Sequence, residues 1–168
     1  MKTKLRILFT PDCNRRCKGC CNRNWTGEPP VEMSVEQIRA YDEIYITGGE
    51  PMLYPKELLE FIKGVRTDTN KVFLYTAKPF PKADFLNIVK HLDGVTLTLH
   101  SYADRKAFMD AMYHITPFPK KSMRLNAFKG QVMPFRNGSG WKYRQMTWIT
   151  DAPLPDGEVF GVWNTKWF

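Results

Sequence analysis

Cys13, Cys17, Cys20 and Cys21 lie within nine residues of one another and are the only cysteines of the 168-residue chain. Cys13-x3-Cys17-x2-Cys20 offers three thiolates spaced to wrap three corners of a cubane iron–sulfur cluster. Ordinary cubanes take four cysteines. Three therefore leave one iron open to another ligand, and an open position is what separates a catalytic metal site from a structural one. The competing reading is a zinc knot with Cys21 or a histidine as fourth ligand. Adjacent Cys20 and Cys21 cannot easily both point at one tetrahedral ion. His91, His100 and His114 are distant in sequence and lack the Cys-x2-Cys…His-x3–5-His spacing. A disulfide is weaker still, and Cys21 is read as a neighbour outside the ligand set.

A second group is Thr47-Gly48-Gly49-Glu50-Pro51. Two glycines let the backbone approach a ligand in conformations closed to other residues and leave peptide groups available for hydrogen bonding. Glu50 beside them could pair with an ammonium group. By itself the segment is also a plausible plain turn. Thr76 and Lys78, then His100 and Ser101, follow two later strands and could reach a bound cofactor from there, although for each residue taken singly an ordinary loop contact is the favoured reading. Asn126 is a weaker candidate inside a strand. There is no serine–histidine–acid grouping and no Gly-x4-Gly-Lys phosphate loop, so hydrolytic catalysis has no support.

The elements that must carry these residues are legible from periodicity. Residues 3–9 read as a strand and 10–33 as a long loop. Ser34 and Gln37 have capping-box spacing and open a short helix to Ala40. Glu43 to Thr47 is a strand stopped by the two glycines, and Pro55 starts a helix with Leu58, Leu59, Ile62 and Val65 on one stripe. Val72 to Thr76 is a strand, Phe85 to Leu92 a helix, and Val95 to His100 a strand of strict alternation. A helix over 103–113 and a strand over 123–128 follow. That is βα four times and then a strand, the pattern of a parallel sheet with right-handed crossovers. Trp141 to Ile149 reads as one more strand, and the Pro/Gly-containing tail that follows, ending Trp163-Asn-Thr-Lys-Trp167-Phe168, as packed but irregular. A complete eight-unit barrel needs about 250 residues, so this length permits a partial barrel or an open sheet. In such folds the loops after the strands build the active site, which places the cysteine loop beside the glycine turn.

Composition narrows the class. Hydrophobic residues are 43% and aromatics 14% of the chain, the make-up of a folded globule. No apolar run approaches the roughly 20 residues of a bilayer span. The basic, apolar start is broken by Lys4 and Arg6, unlike an export signal, so a cytoplasmic chain with reduced thiols is expected. The net charge of +8 is uneven: +1 over 1–50, +2 over 51–100 and +5 over 101–168. Residues 111–150 hold seven Lys or Arg and no Asp or Glu. Lys120, Lys121, Arg124, Lys129, Arg136, Lys142 and Arg144 interleave there with Phe118, Phe128, Phe135, Trp141, Tyr143 and Trp148. Such a mixture can grip an anion by charge and stacking; a solvated face over core aromatics is the plain alternative. Sequence-specific DNA reading has no support.

Cys-x3-Cys-x2-Cys after the first strand, with Gly-Gly-Glu-Pro after the next, resembles the radical S-adenosylmethionine (radical SAM) superfamily over about residues 3–100. The resemblance implies an α/β fold, a partial (βα) barrel of about five to six mostly parallel strands, curved and open. It implies a [4Fe–4S] cluster on Cys13, Cys17 and Cys20, and S-adenosylmethionine bound near Gly48, Gly49, Glu50 and Pro51, with Thr76 and Ser101 in reach. The chemistry implied is reductive cleavage to a 5′-deoxyadenosyl radical that abstracts hydrogen, fed by an electron donor such as flavodoxin or ferredoxin. One domain over 1–168 is expected, with the cofactor core in 1–100 and the substrate side in 101–168. Its substrate is expected to be anionic: a small molecule, a nucleotide or a protein or peptide. The loop Cys17-Lys-Gly-Cys20-Cys-Asn22 with Trp25 is similar to that of anaerobic ribonucleotide reductase activating proteins, which implies a glycyl-radical enzyme as an alternative partner. A basic, metal-bound nucleic-acid adaptor without catalysis is the reading from another class.

Overall fold

The computed structural model describes residues 3–20, 29–115, 121–131, 133, 140–147 and 154–163. Along the chain come β1 (Lys4–Thr10), β2 (Val31–Met33), α1 (Val35–Arg39), β3 (Glu43–Gly48), α2 (Pro55–Val65) and β4 (Lys71–Thr76). Then follow α3 (Lys82–Lys90), β5 (Gly94–Leu99), α4 (Arg105–Ile115), β6 (Ser122–Phe128), β7 (Trp141–Met146) and β8 (Glu158–Trp163). The strands form one open sheet in the order β2-β8-β1-β3-β4-β5-β6-β7, and every pairing is parallel.

Strand alternation explains the layering. Leu5, Ile7, Ile44, Ile46, Val72, Leu74, Val95 and Leu97 are fully or almost fully buried and share one face through the register. They form a single core with Leu58, Phe61 and Ile62 of α2, Phe85 and Ile88 of α3, and Phe108 and Ile115 of α4. Each such side chain contributes about 1.5–3 kcal/mol by leaving water. From β3 to β6 each new strand is added on the same side of the last. Right-handed crossovers then keep the helices on one face and leave the other face open.

The expected capping box is present: Gln37 N–H donates to Ser34 Oγ at 3.4 Å, and Ser34 N–H to Gln37 Oε1 at 2.8 Å. Two strands exceed the expected five to six. β2 lies in the stretch expected to be loop, and β8 in the tail expected to be irregular. β2 has only three residues, too few to show a period, and Gly161 interrupts β8, weakening its local strand signal. Both are defined by long-range pairing, β8 against β1 and β2 against β8. The expected helix from 103 starts at Arg105, because a 3-10 turn over Tyr102–Asp104 comes first. Residues 148–149 of the expected strand, 164–168 of the tail and 21–28 of the loop lie outside the described residues.

At the amino ends of the strands, Asp93 ties three elements together. Its carboxylate accepts from Arg66 Nη1 at 2.7 Å and Nη2 at 3.3 Å, and from the Val72 N–H at 2.8 Å. Burial pushes this carboxyl up, but the Arg66 and Val72 hydrogen bonds, with the Arg66 and Lys121 charges, outweigh it and hold it below the usual range. Asp93→Ala is expected to cost about 1–2 kcal/mol at neutral pH, the pair being partly exposed. A carboxyl depressed on folding stabilises above its unfolded value, about 3.9, and loses that contribution as pH falls through the folded value. Thermal melts of wild type and variant should therefore converge in acid. A gap that persists there would show that the role of Asp93 is not ionic.

Candidate active site

The carboxyl ends of the strands meet in a cavity of about 260 Å³. Cys13, Cys17 and Cys20 line it from the loop after β1, Gly48, Gly49 and Glu50 from the turn after β3, and Thr76 and Ala77 from the end of β4. His100 follows β5, while Phe128 and Met146 close β6 and β7. Parallel β/α architecture predicts this position for a site.

The glycine turn is placed by its contact with the cysteine loop. The Gly49 N–H donates to the Thr10 carbonyl at 2.6 Å, and the Glu50 N–H to the Asp12 carbonyl at 2.7 Å. The approach is so close that a Cβ on Gly49 would sit 1.8 Å from the Asp12 oxygen. Gly48 has φ +124°, open to glycine and hostile to other residues. The Gly49 N–H, expected to be available for hydrogen bonding, and the neighbouring Glu50 N–H are therefore not left for a ligand. They are spent on the loop that carries the cysteines, and they fix its start.

Glu50 is 2% exposed. Its Oε1 accepts from the Met52 N–H at 3.0 Å and from Thr76 Oγ1, and its Oε2 from the Ala77 N–H at 2.8 Å. Burial pushes its carboxyl up against the pull of these donors. Arg15 lies between the first two cysteines in sequence and spans the site. Its Nη2 donates to the Ala77 carbonyl at 3.1 Å and to Asp104 at 2.7 Å, while its buried Nε has no hydrogen-bond partner among the described residues.

No disulfide joins Cys13, Cys17 or Cys20 to one another. Although Cys13 is exposed, partial desolvation at the cavity pushes its thiol up; the Glu50 and Cys20 charges add to this against the Arg15 backbone N–H. The Cys17 Sγ stands 3.6 Å from His100 Nδ1. Burial, then the Arg15 guanidinium, lower the His100 pKa to about 4, which keeps the ring neutral at pH 7. Among the described residues no three His, Cys, Asp or Glu side chains converge as they would on a single ion. Three thiols around one cavity are nevertheless the right donor set for a cubane, which takes each thiolate on a different iron.

Of the other sequence candidates, Thr76 lines the cavity, but its hydroxyl donates to Glu50. Pro51 is buried at the start of a 3-10 turn, and the Ser101 hydroxyl accepts from the Ala103 N–H; neither lines the cavity. Lys78 Nζ donates to the Phe80 carbonyl at 2.8 Å and more weakly to Met52. Cys21, Asn22 and Trp25 lie outside the described residues, as do Phe118, Lys120, Phe135, Arg136 and Trp148. Phe128, one of the aromatics interleaved with the basic residues, lines the cavity, as do Arg6, Arg15, Tyr75, Thr98 and Met146, which carry no site expectation from the sequence. Arg6, Tyr75 and Thr98 could have been found as the positions alternating with the buried residues of their strands. Arg15 offered no such signal. No described helix is long and apolar enough to cross a membrane.

The family model described as the radical SAM superfamily matches residues 7–125, well over half of the chain. No curated protein matches it.

Proposed function

Because the chain belongs to the radical SAM superfamily, a family of enzymes of radical chemistry, we propose that it cleaves S-adenosylmethionine reductively and abstracts hydrogen from an anionic substrate. The observation that carries this reading is the sharing of one cavity by Cys13, Cys17, Cys20 and the Gly48–Glu50 turn. The residues present fit the group the family implies. When bound, a [4Fe–4S] cluster with S-adenosylmethionine supplies the electron transfer and sulfonium cleavage that generate a 5′-deoxyadenosyl radical.

Each protein group then has a definable task. Cys13, Cys17 and Cys20 hold three irons as thiolates. Glu50 is anchored by Met52, Thr76 and Ala77, and its Oε2 retains acceptor capacity for the cofactor's ammonium. Burial strengthens that attraction, because a charge pair in a dry cavity is weakly screened. Arg15 bridges the cysteine loop to Ala77 and Asp104 and so keeps the loop over the strand ends. Phe128 and Met146 supply apolar wall that excludes water from a reactive radical. The seven Lys or Arg and the lack of any Asp or Glu over residues 111–150 support an anionic substrate.

The test is anaerobic. After reconstitution with iron and sulfide, the protein should show iron–sulfur absorbance and a reduced-cluster paramagnetic signal. With S-adenosylmethionine and a strong reductant it should release 5′-deoxyadenosine. Bound zinc without iron–sulfur absorbance would overturn the assignment.

A further inference from the structure

The basic stretch at 111–150 is not spread evenly over the molecule. Constant register aligns Tyr75, Thr96, Arg124 and Lys142 in one row across β4 to β7, and Thr98, Asn126 and Arg144 in the next. Phe128 pairs with Met146 in the row beyond, where both line the cavity. Alternation puts Arg124 and Asn126 on the face of Phe128, and Lys142 and Arg144 on the face of Met146. Three exposed cations therefore stand together on the open face of the sheet, directly below the cavity wall.

Their setting differs from that of Arg6 and Lys121. Arg6, on the same face, is neutralised by Glu158 at 2.8 Å. Lys121 lies at the opposite ends of the strands, where its Nζ donates to the Lys90 and Leu92 carbonyls. Among the described residues no carboxylate pairs with Arg124, Lys142 or Arg144. Charges can protect an edge strand such as β7 from pairing, but that role does not select a face. Here the helix-side positions of β7 are Trp141, Tyr143 and Gln145, and the cations occupy only the open side.

We propose that Arg124, Lys142 and Arg144 form the phosphate subsite for a phosphorylated small-molecule substrate whose reacting carbon reaches the cavity at Phe128 and Met146. This rests on the radical SAM reading above and names the anion. Arg124 and Lys142 are neighbours on adjacent strands, about 5 Å apart along the row, and Arg144 is about 7 Å further along β7. A phosphate monoester presents close to two negative charges and three acceptor oxygens. Arginine forks and a lysine ammonium satisfy such a group by bidentate and point-charge contacts. The phosphate would lie about 7–13 Å down the strands from the cavity wall, so the substrate must bridge that length.

The experiment titrates the cluster-reconstituted chain with ribose 5-phosphate and inorganic pyrophosphate by calorimetry, with ribose as the uncharged control. Wild type should bind both phosphates and not ribose, and Arg124→Gln/Lys142→Gln/Arg144→Gln should bind at least tenfold more weakly. Lys106→Gln on α4 should bind like wild type. The Arg124 and Arg144 Nε–H resonances of wild type should shift with pyrophosphate, which tests the site even if the triple variant fails to fold. Unchanged affinity in the triple variant, equal loss in Lys106→Gln, or affinity that grows with the length of a single-stranded oligonucleotide would each overturn the subsite. Wild type that releases 5′-deoxyadenosine but binds no phosphate would sink this proposal alone. Wild type that binds phosphate through these residues without forming 5′-deoxyadenosine would sink the radical reading and leave the subsite.

Discussion

Replacing Cys13, Cys17 or Cys20 by Ala, one at a time, is expected to remove the iron–sulfur absorbance and 5′-deoxyadenosine formation together, while Cys21→Ala leaves both in place. The loss follows from the donor set. Each thiolate is assigned a separate iron, and among the described residues no further cysteine lines the cavity to replace the one removed. Loss of a group that merely supports a ligand costs roughly 10–100-fold in metal affinity or activity; loss of a ligand should exceed that range. Cys13 is exposed and Cys17 and Cys20 half-buried, so none of the three substitutions opens a cavity in the core. Circular dichroism should therefore find the fold intact in each variant. A Cys21→Ala protein as depleted in iron as Cys20→Ala would refute the ligand assignment.

Gly49→Ala is expected to be the most damaging single methyl addition at the site. The new carbon would lie 1.8 Å from the Asp12 oxygen, 2.4 Å from its carbonyl carbon and 2.7 Å from the Pro11 oxygen. All three are backbone atoms, so no side-chain rotation relieves the overlap. Relief requires the turn to withdraw, which loosens the Gly49–Thr10 and Glu50–Asp12 hydrogen bonds. Overpacking costs about 1–3 kcal/mol, and each weakened bond about 0.5–1.5 kcal/mol. A total near 4 kcal/mol corresponds to a fall in Tm of roughly 8–16 °C. Gly64→Ala provides the contrast, since its added carbon meets only Val35 Cγ1 at 3.8 Å near the end of α2. There the helix should gain about 0.5–1 kcal/mol. Equal melting of Gly49→Ala and wild type would show that the close approach is not needed for folding.

The parts of the fold that were legible in the sequence are those whose signal is local. β3 to β6 and α1 to α4 could be read from apolar period, capping residues and glycine or proline stops. Their positions follow the expected spans within a few residues. β2 and β8 could not, because neither short strand carries a period of its own. Their assignment depends on partners more than a hundred residues away for β8 and β1, and for β8 and β2. The site divides the same way. Cys13, Cys17, Cys20 and the Gly48–Glu50 turn stand out by type and spacing, whereas Arg15 is one of many arginines until its contacts with Ala77 and Asp104 are known.

The sequence by itself determined the donor chemistry, three clustered thiols with a glycine turn and an adjacent acid, and the βα order that brings successive strand ends to one side. Residue identity and local periodicity carry that information without reference to distant partners. Only the tertiary structure decided that the glycines serve to seat the cysteine loop, since the steric limit is set by Pro11 and Asp12 across a strand pair. Likewise, only register gathered Arg124, Lys142 and Arg144 onto one open face. A charge count along the chain is blind to face, and a one-residue slip of pairing would have sent these side chains to the helix side.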